Sequence, residues 1–184
     1  MKNGLLITLT AGLLSFASFA SAENVEIALT AALDTTTNAY CFDIKGGGQN
    51  VDPAGGLQAH TCYSYRGELG PDQAVTTASL DNGQFLIEGF DVCVAMSALE
   101  EGASVALESC EANDLQMFDF VQNGKISPKA APDMCVTIGD ETSHGRAIRH
   151  QIRTLSLEKC SDELADRQNW YSRTLADYTA SIEE

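Results

Sequence analysis

With 184 residues, 44% of them hydrophobic, the chain is long enough to bury the core of one ordinary domain. Its 26 acidic side chains against 11 basic ones leave a formal charge of −15, which disfavours nucleic acid and anionic lipid surfaces as partners. The acids are scattered rather than blocked, so their first effect is solubility.

The N-terminus reads as a secretory leader. Lys2 supplies the positive start, Leu5 to Phe19 is mostly apolar, and Ala20-Ser21-Ala22 forms an A-x-A cleavage site. The apolar stretch is shorter than the roughly 18 residues of a spanning helix. We therefore expect a signal peptide over 1–22 and one exported domain over 23–184, secreted or periplasmic, with no membrane insertion. Val25 to Leu29 is the first predicted strand, followed by a Thr-rich turn. Short apolar runs then alternate with turn signals such as Gly46-Gly47-Gly48, Gly70-Pro71-Asp72, Asp81-Asn82-Gly83 and Asn123-Gly124. Asn-Gly between apolar runs predicts hairpins. One has arms Val75 to Leu80 and Gln84 to Ile87; the other has arms Phe118 to Val121 and Lys125-Ile126. Leu164 to Ala176 is expected as turn and strand, and the polar tail from Leu175 is expected to fray. Strands at short, even spacing indicate an all-β barrel or sandwich.

One pattern occurs three times after the leader: a cysteine closing a short apolar run, a second cysteine, then Gln-x-apolar. The copies are Cys41–Cys62–Gln73-Ala74-Val75, Cys93–Cys110–Gln116-Met117-Phe118 and Cys135–Cys160–Gln168-Asn169-Trp170. They bound units at about 38–86, 87–128 and 129–175, each too small to bury its own apolar face, so the three must share a core. Six cysteines in an exported chain favour disulfides, and the repeat selects pairing within each copy. Each bridge would contribute about 3 kcal/mol in the chain-entropy model. Zinc is disfavoured, since no C-x-x-C pair occurs.

The three copies, with Cys41-Phe42-Asp43-Ile44, Cys93-Val94-Ala95-Met96 and Cys135-Val136-Thr137-Ile138 at their heads, resemble the ricin B-type lectins, the β-trefoils with Gln-x-Trp repeats. The resemblance spans nearly all of the chain after the leader, although only the third copy keeps Trp. It implies twelve strands in three pseudosymmetric units, six in a short barrel and six capping it. Val75, Phe118 and Trp170 would then be core residues, and the neighbouring glutamines would hold local structure.

In that family the sugar-binding acid stands two residues after the first cysteine. Here that residue is Asp43 in the first copy, but Ala95 and Thr137 in the others. An ionised carboxylate can accept hydrogen bonds from two adjacent sugar hydroxyls; alanine cannot, and threonine does so weakly. The family's stacking ring stands two residues before the second cysteine. That position holds His60 in the first copy, and Glu108 and Glu158 in the others. Gln58 lies two residues earlier, and Asp72-Gln73 stands where the family commonly has Asn-Gln. The carried-over carbohydrate site is thus Asp43, Gln58, His60, Asp72 and Gln73. Tyr63 and Tyr65 offer a substitute platform. Asp43 alone also suits a turn cap before the glycine run.

No metal or cofactor is expected: calcium wants six to eight oxygens, and no Asp-x-Asp-x-Asp loop is present. Nor is catalysis expected. The nucleophile-elbow, H-E-x-x-H and phosphate-loop motifs are all missing, and only the Asp43 and Asp72 pair leaves room for a glycosidase. The third copy carries a long insertion, Gly139 to Arg149, with His144, Arg146, Arg149 and, beside it, His150. This cluster either binds an acidic partner or neutralises neighbouring carboxylates, and neutralisation is the expected role. The functional expectation is an exported protein that binds a glycan or polysaccharide at one site in the first copy. The alternative is a non-catalytic trefoil scaffold for a protein partner, such as a subunit of a secreted toxin-like assembly, contacted through Gly139 to His150.

Overall fold

The computed structural model describes residues 23–35 and 38–181, so the expected signal peptide lies outside the described residues. The chain folds as a β-trefoil. Its first unit is β1 (Asn24–Leu29), β2 (Tyr40–Ile44), β3 (Leu57–Thr61) and β4 (Val75–Thr76). The second is β5 (Leu86–Ile87), β6 (Val92–Met96), β7 (Val105–Glu108) and β8 (Phe118–Phe120). The third opens with β9 (Ile126–Pro128) and β10 (Met134–Ile138), and closes with β13 (Leu155–Lys159) and β14 (Trp170–Arg173). Between them the insertion forms its own hairpin, β11 (Ser143–His144) and β12 (Gln151–Arg153). These two strands are the excess over the twelve that the family resemblance implies. The middle strands of each unit pair antiparallel, β2 with β3, β6 with β7 and β10 with β13. β1 pairs with both β4 and β14, which joins the first unit to the third.

Strand alternation sorts the side chains. Along β2, Tyr40, Phe42 and Ile44 enter the shared core. Val94 and Met96 do the same on β6, as do Met134, Val136 and Ile138 on β10. Each first cysteine therefore faces the other way, and the three disulfides form within the units with Cα separations of 4.9, 4.9 and 5.0 Å. Val75, Phe118 and Trp170 are all buried in the core. Phe42 and Trp170 pack with ring centroids 4.8 Å apart, and Phe85 meets Phe118 edge-on at 5.5 Å.

The three glutamines repeat one contact. In each, Oε1 accepts the N–H of the residue after the second cysteine: Tyr63 at 2.9 Å, Glu111 at 2.7 Å and Ser161 at 2.9 Å. Nε2 donates to the carbonyl before that cysteine: Thr61 at 3.2 Å, Ser109 at 3.0 Å and Lys159 at 2.9 Å. A second buried contact ties the chain ends. Glu26 on β1 stands opposite Arg173 on β14, and its Oε1 accepts from Arg173 Nε and Ser64 Oγ, both at 2.6 Å.

Two local expectations are corrected. The arm predicted over Val75 to Leu80 is strand only to Thr76. Residues Thr77–Asp81 form a helical turn, α1, because the Thr76 hydroxyl accepts the Ser79 N–H and caps it. Gly83, at φ 81°, then serves as the left-handed exit of that helix, not as half of a hairpin turn. The second predicted hairpin does form, as β8 with β9, and Asn123 takes φ 59° in its turn. The tail does not fray at Leu175. After a one-turn helix α2 (Ala165–Gln168) and β14, Leu175–Ser181 forms α3. Its start is fixed reciprocally, Thr174 Oγ1 accepting the Asp177 N–H and Asp177 Oδ2 accepting the Thr174 N–H. Among the described residues no helix is long and apolar enough to cross a membrane.

Replacing Gln116 by Leu should cost about 0.5–1.5 kcal/mol for each of the two hydrogen bonds it removes, read by urea unfolding under non-reducing conditions. Arg173→Met should cost about 3–5 kcal/mol by removing the cation from the buried Glu26 carboxyl, and Glu26→Gln added to it should recover much of that loss. Equal stability of both Arg173 variants would contradict the role of the pair.

Candidate functional site

The same alternation that sends Phe42 and Ile44 inward turns Asp43 to the outer face of β2, beside its register partner Gln58 on β3. Gln58 Nε2 donates to Asp43 Oδ2 at 2.8 Å, and Gln73 Nε2 donates to Oδ1 at 3.0 Å. The backbone carbonyl of Asp72 accepts from the Ile44 N–H, which draws the Asp72-Gln73 segment against β2. The structure thus joins Asp43, Gln58 and Gln73 in one hydrogen-bonded set. His60 follows on the same face of β3, its Nδ1 donating to the Thr61 carbonyl at 2.8 Å.

All five residues are buried, and Asp43 is only 1% exposed. Burial pushes the Asp43 carboxyl up to about 8; the Gln58 hydrogen bond opposes this, the Asp72 charge adds to it, and the Gln73 bond opposes it. Asp72 is also raised by burial. His60 is lowered to about 4, first by burial, and further by the charges of His150 and Arg66, so the imidazole is neutral at pH 7. Its ring lies 5.2 Å from Tyr63 and 5.4 Å from His150, centroid to centroid.

Tyr63 lies close enough to both acids to feel their charge. It opens the short 3-10 turn Tyr63–Arg66, and a Cβ placed at Gly70 would overlap its ring and lie 2.7 Å from Asp72 Oδ1. Burial and the charges of Asp43 and Asp72 push its phenol well above the ordinary range. Tyr63 borders a cleft of about 630 Å³, walled also by Gly46 to Asn50, His60, Arg66, Gly145, Arg146, His150 and Ile152. A smaller cavity of about 210 Å³, sharing Gly48, Tyr63 and Arg66 with the cleft, reaches Asp72.

The far wall of the cleft belongs to the third unit. β12 of its insertion pairs with β3, Ile152 opposite His60 and Arg153 opposite Ala59. The Thr61 hydroxyl donates to the Arg149 carbonyl and accepts the Gln151 N–H. Asp34 completes the clamp by accepting from Thr142, Tyr40 and Arg153. Partial burial pushes the Asp34 carboxyl up, but those three hydrogen bonds and the Arg153 charge outweigh it and hold it at about 2. The ion pairs among the described residues are Lys125–Asp162, Arg153–Asp34, Arg167–Asp140 and Arg173–Glu26, none involving Arg146, Arg149 or His150. Arg66, Ile152 and Gly46 to Asn50 are not among the site residues expected from the sequence. Ile152 is placed by the β12–β3 pairing, for which only the alternation of Gln151-Ile152-Arg153 gives a signal, while Arg66 arrives on the turn after Cys62.

Glu26 and the sulfurs of Cys41 and Cys62 lie within 4.8 Å of one another, but both sulfurs are spent in their bridge and do not make a metal centre.

The equivalent positions elsewhere are closed differently. Thr137 donates to the Cys135 carbonyl and accepts from Gln168, while Ala95 offers Gln116 no acceptor. Glu158 accepts from Ser156.

Asp43 keeps its proton in the folded protein up to about pH 8, but ionises near 3.8 when unfolded. Its stabilising contribution is therefore full below the unfolded value and is lost as pH rises through about 8. Asp34 acts oppositely: its contribution is present above the ordinary carboxylate range and is lost as pH falls through about 2. The melting temperature of the wild type should fall between about pH 4 and about pH 8 relative to Asp43→Asn, and parallel curves would contradict the assignment.

Comparison with known proteins follows the same lines. The ricin-type β-trefoil lectin domain model matches residues 30–170. No curated protein matches the chain at a significant level. Among solved structures, the agglutinin from Abrus precatorius aligns with TM-score 0.58 and 16% identity over 85% of this chain, which spans 50% of the agglutinin chain. A designed 3-fold symmetric protein, ThreeFoil, aligns at 0.56 and 15% identity, over 81% of this chain and 96% of its own. The earthworm lectin C-terminal domain mutant, solved in complex with 6'-sialyllactose, aligns at 0.50 and 17% identity, over 82% of this chain and 98% of its own. These structural likenesses speak to the fold. The sequence match, extending from just after β1 to the buried tryptophan, shows that this chain belongs to the ricin-type β-trefoil lectin domain family.

Proposed function

We propose that this protein is an exported carbohydrate-binding lectin with one sugar site, in its first unit. One observation carries the reading: of three equivalent positions, only that of Asp43 holds a carboxyl, and two glutamine amides grip it on the outer face of β2 and β3. The adjoining cleft supports it, since His60 and Tyr63 lend aromatic faces to its wall. Alanine and a self-satisfied threonine make the other two units scaffold. Export is supported by the leader sequence and by three disulfides, which persist in oxidising compartments. A single shallow site should bind near millimolar, about −4 kcal/mol, so useful avidity needs several copies. The role of Asp43 in this reading is to hold the Gln58 and Gln73 amides and the strands behind the cleft wall in place; hydrolysis lost on changing either Asp43 or Asp72 would replace binding by turnover.

The test is retention on immobilised glycans of the wild type, Asp43→Ala and His60→Ala. Retention should fall about tenfold or more in both variants with the fold intact by circular dichroism. Equal retention by all three proteins would remove this site assignment.

A second reading has one specific observation behind it. Ile148, at the end of the insertion, is 77% exposed, an apolar side chain offered to solvent beside two arginines. It suits a trefoil scaffold held by a secreted protein partner. Stable co-purification abolished by Ile148→Asp, without any glycan binding, would favour this reading over the lectin.

A further inference from the structure

The cleft beside Tyr63 has the wrong charge for this protein. The chain carries −15 overall, yet the cleft wall contains two arginines and two histidines, and no aspartate or glutamate among its lining residues. Arg66 comes from the turn after the first unit's second cysteine, and Arg146 comes from the third unit's insertion, so the two cations are delivered by separate parts of the chain. Neither has a carboxylate within 4.0 Å among the described residues.

Arg66 is also held in place. Its Nε donates to the Tyr65 hydroxyl at 3.1 Å, and its guanidinium lies 4.4 Å from the Tyr63 ring centroid and 5.4 Å from that of Tyr65. Two aromatic faces fix the plane of the fork, and a preorganised fork loses less freedom when it engages an anion. The positive field reaches the neighbouring groups: burial and the charges of Arg66 and Arg149 hold His150 below the ordinary imidazole range. The N–H of the neutral His60 ring is already spent on the Thr61 carbonyl, so the two imidazoles offer the cleft ring faces, and its fixed positive charge resides on its arginines. Space is available beside them, since a Cβ built on Gly47 or Gly48 meets nothing within 4 Å.

Resting on the lectin reading above, we propose that this cleft selects an anionic sugar, one carrying a carboxylate or sulfate that pairs with Arg66 and Arg146 while a ring packs near Tyr63 and His60. A carboxylate or sulfate matches the guanidinium fork with two parallel hydrogen bonds, which a neutral hydroxyl does not. The same arrangement repels the Lys- and Arg-rich partners that an acidic protein otherwise attracts.

The experiment is calorimetric titration of the purified protein with three probes: trigalacturonate, its fully methyl-esterified counterpart, and a heparin hexasaccharide. The ester keeps the ring and loses the charge. At low salt at least one anionic probe should bind about tenfold more tightly than the ester, and about 1 M salt should erase most of that difference by screening. The two anionic probes separate carboxylate from sulfate. In Arg66→Gln/Arg146→Gln, with its melting temperature unchanged, the ratio of anionic to neutral affinity should fall toward one. An ester that binds as tightly as both anionic probes overturns this proposal and leaves the lectin reading standing. A preserved ratio in the double variant overturns the assignment to this cleft. Failure of the wild type to bind these probes or any neutral glycan overturns both.

Discussion

One amide group, used three times, underlies the geometry of this protein. Each glutamine of the Gln-x-apolar triplets reaches back to the second cysteine of its unit and satisfies the backbone on both sides of it. The disulfide fixes where that cysteine lies relative to the first strand pair, and the glutamine fixes where the returning chain lies relative to the cysteine. The apolar residue two positions later then enters the shared core. A carbonyl and an N–H on either side of the second cysteine are thereby matched, at a place beyond the strand ladder of each unit.

The proposed binding site is a small elaboration of that fastening. Gln116 spends its amide on the backbone alone, Gln168 also meets the Thr137 hydroxyl, and Gln73 also meets Asp43. The difference between scaffold and candidate site thus lies in what stands two residues after a cysteine. Because those strands alternate, that position always faces away from the core, and a polar side chain can occupy it without disturbing Phe42, Val94 or Val136.

The features legible in the sequence were those requiring a particular residue at a particular separation. Cysteines can bridge only each other, and the glutamine contact depends on one chain length, so threefold repetition exposed both. The Asp43, Gln58 and Gln73 set was legible for the same reason. What was not legible depended on competition or distance. Val75-Thr76-Thr77-Ala78-Ser79-Leu80 satisfies a strand pattern, but a hydroxyl one atom group away from the Ser79 N–H turned it into a capped helix. The tail held a readable Thr174-x-x-Asp177 cap, yet its overall polarity concealed it. The pairing of β12 with β3 joins residues about ninety positions apart, and no local pattern reports a contact made by the closure of the whole trefoil.

That pairing has a consequence for behaviour in crowded solution. The largest sheet runs β11, β12, β3, β2, β1 and β14, so the insertion hairpin occupies the flank that β3 would otherwise present. β3 is five residues long and buried throughout, and bared it would offer a row of unpaired peptide groups to any passing chain. The strand now at the border, β11, has two exposed polar residues, Ser143 and His144, and Gly145 ends it. So short and hydrophilic a border is a poor template for another molecule's strand. The segment that walls the cleft therefore also closes the β3 flank of the sheet to strand pairing by a neighbouring copy.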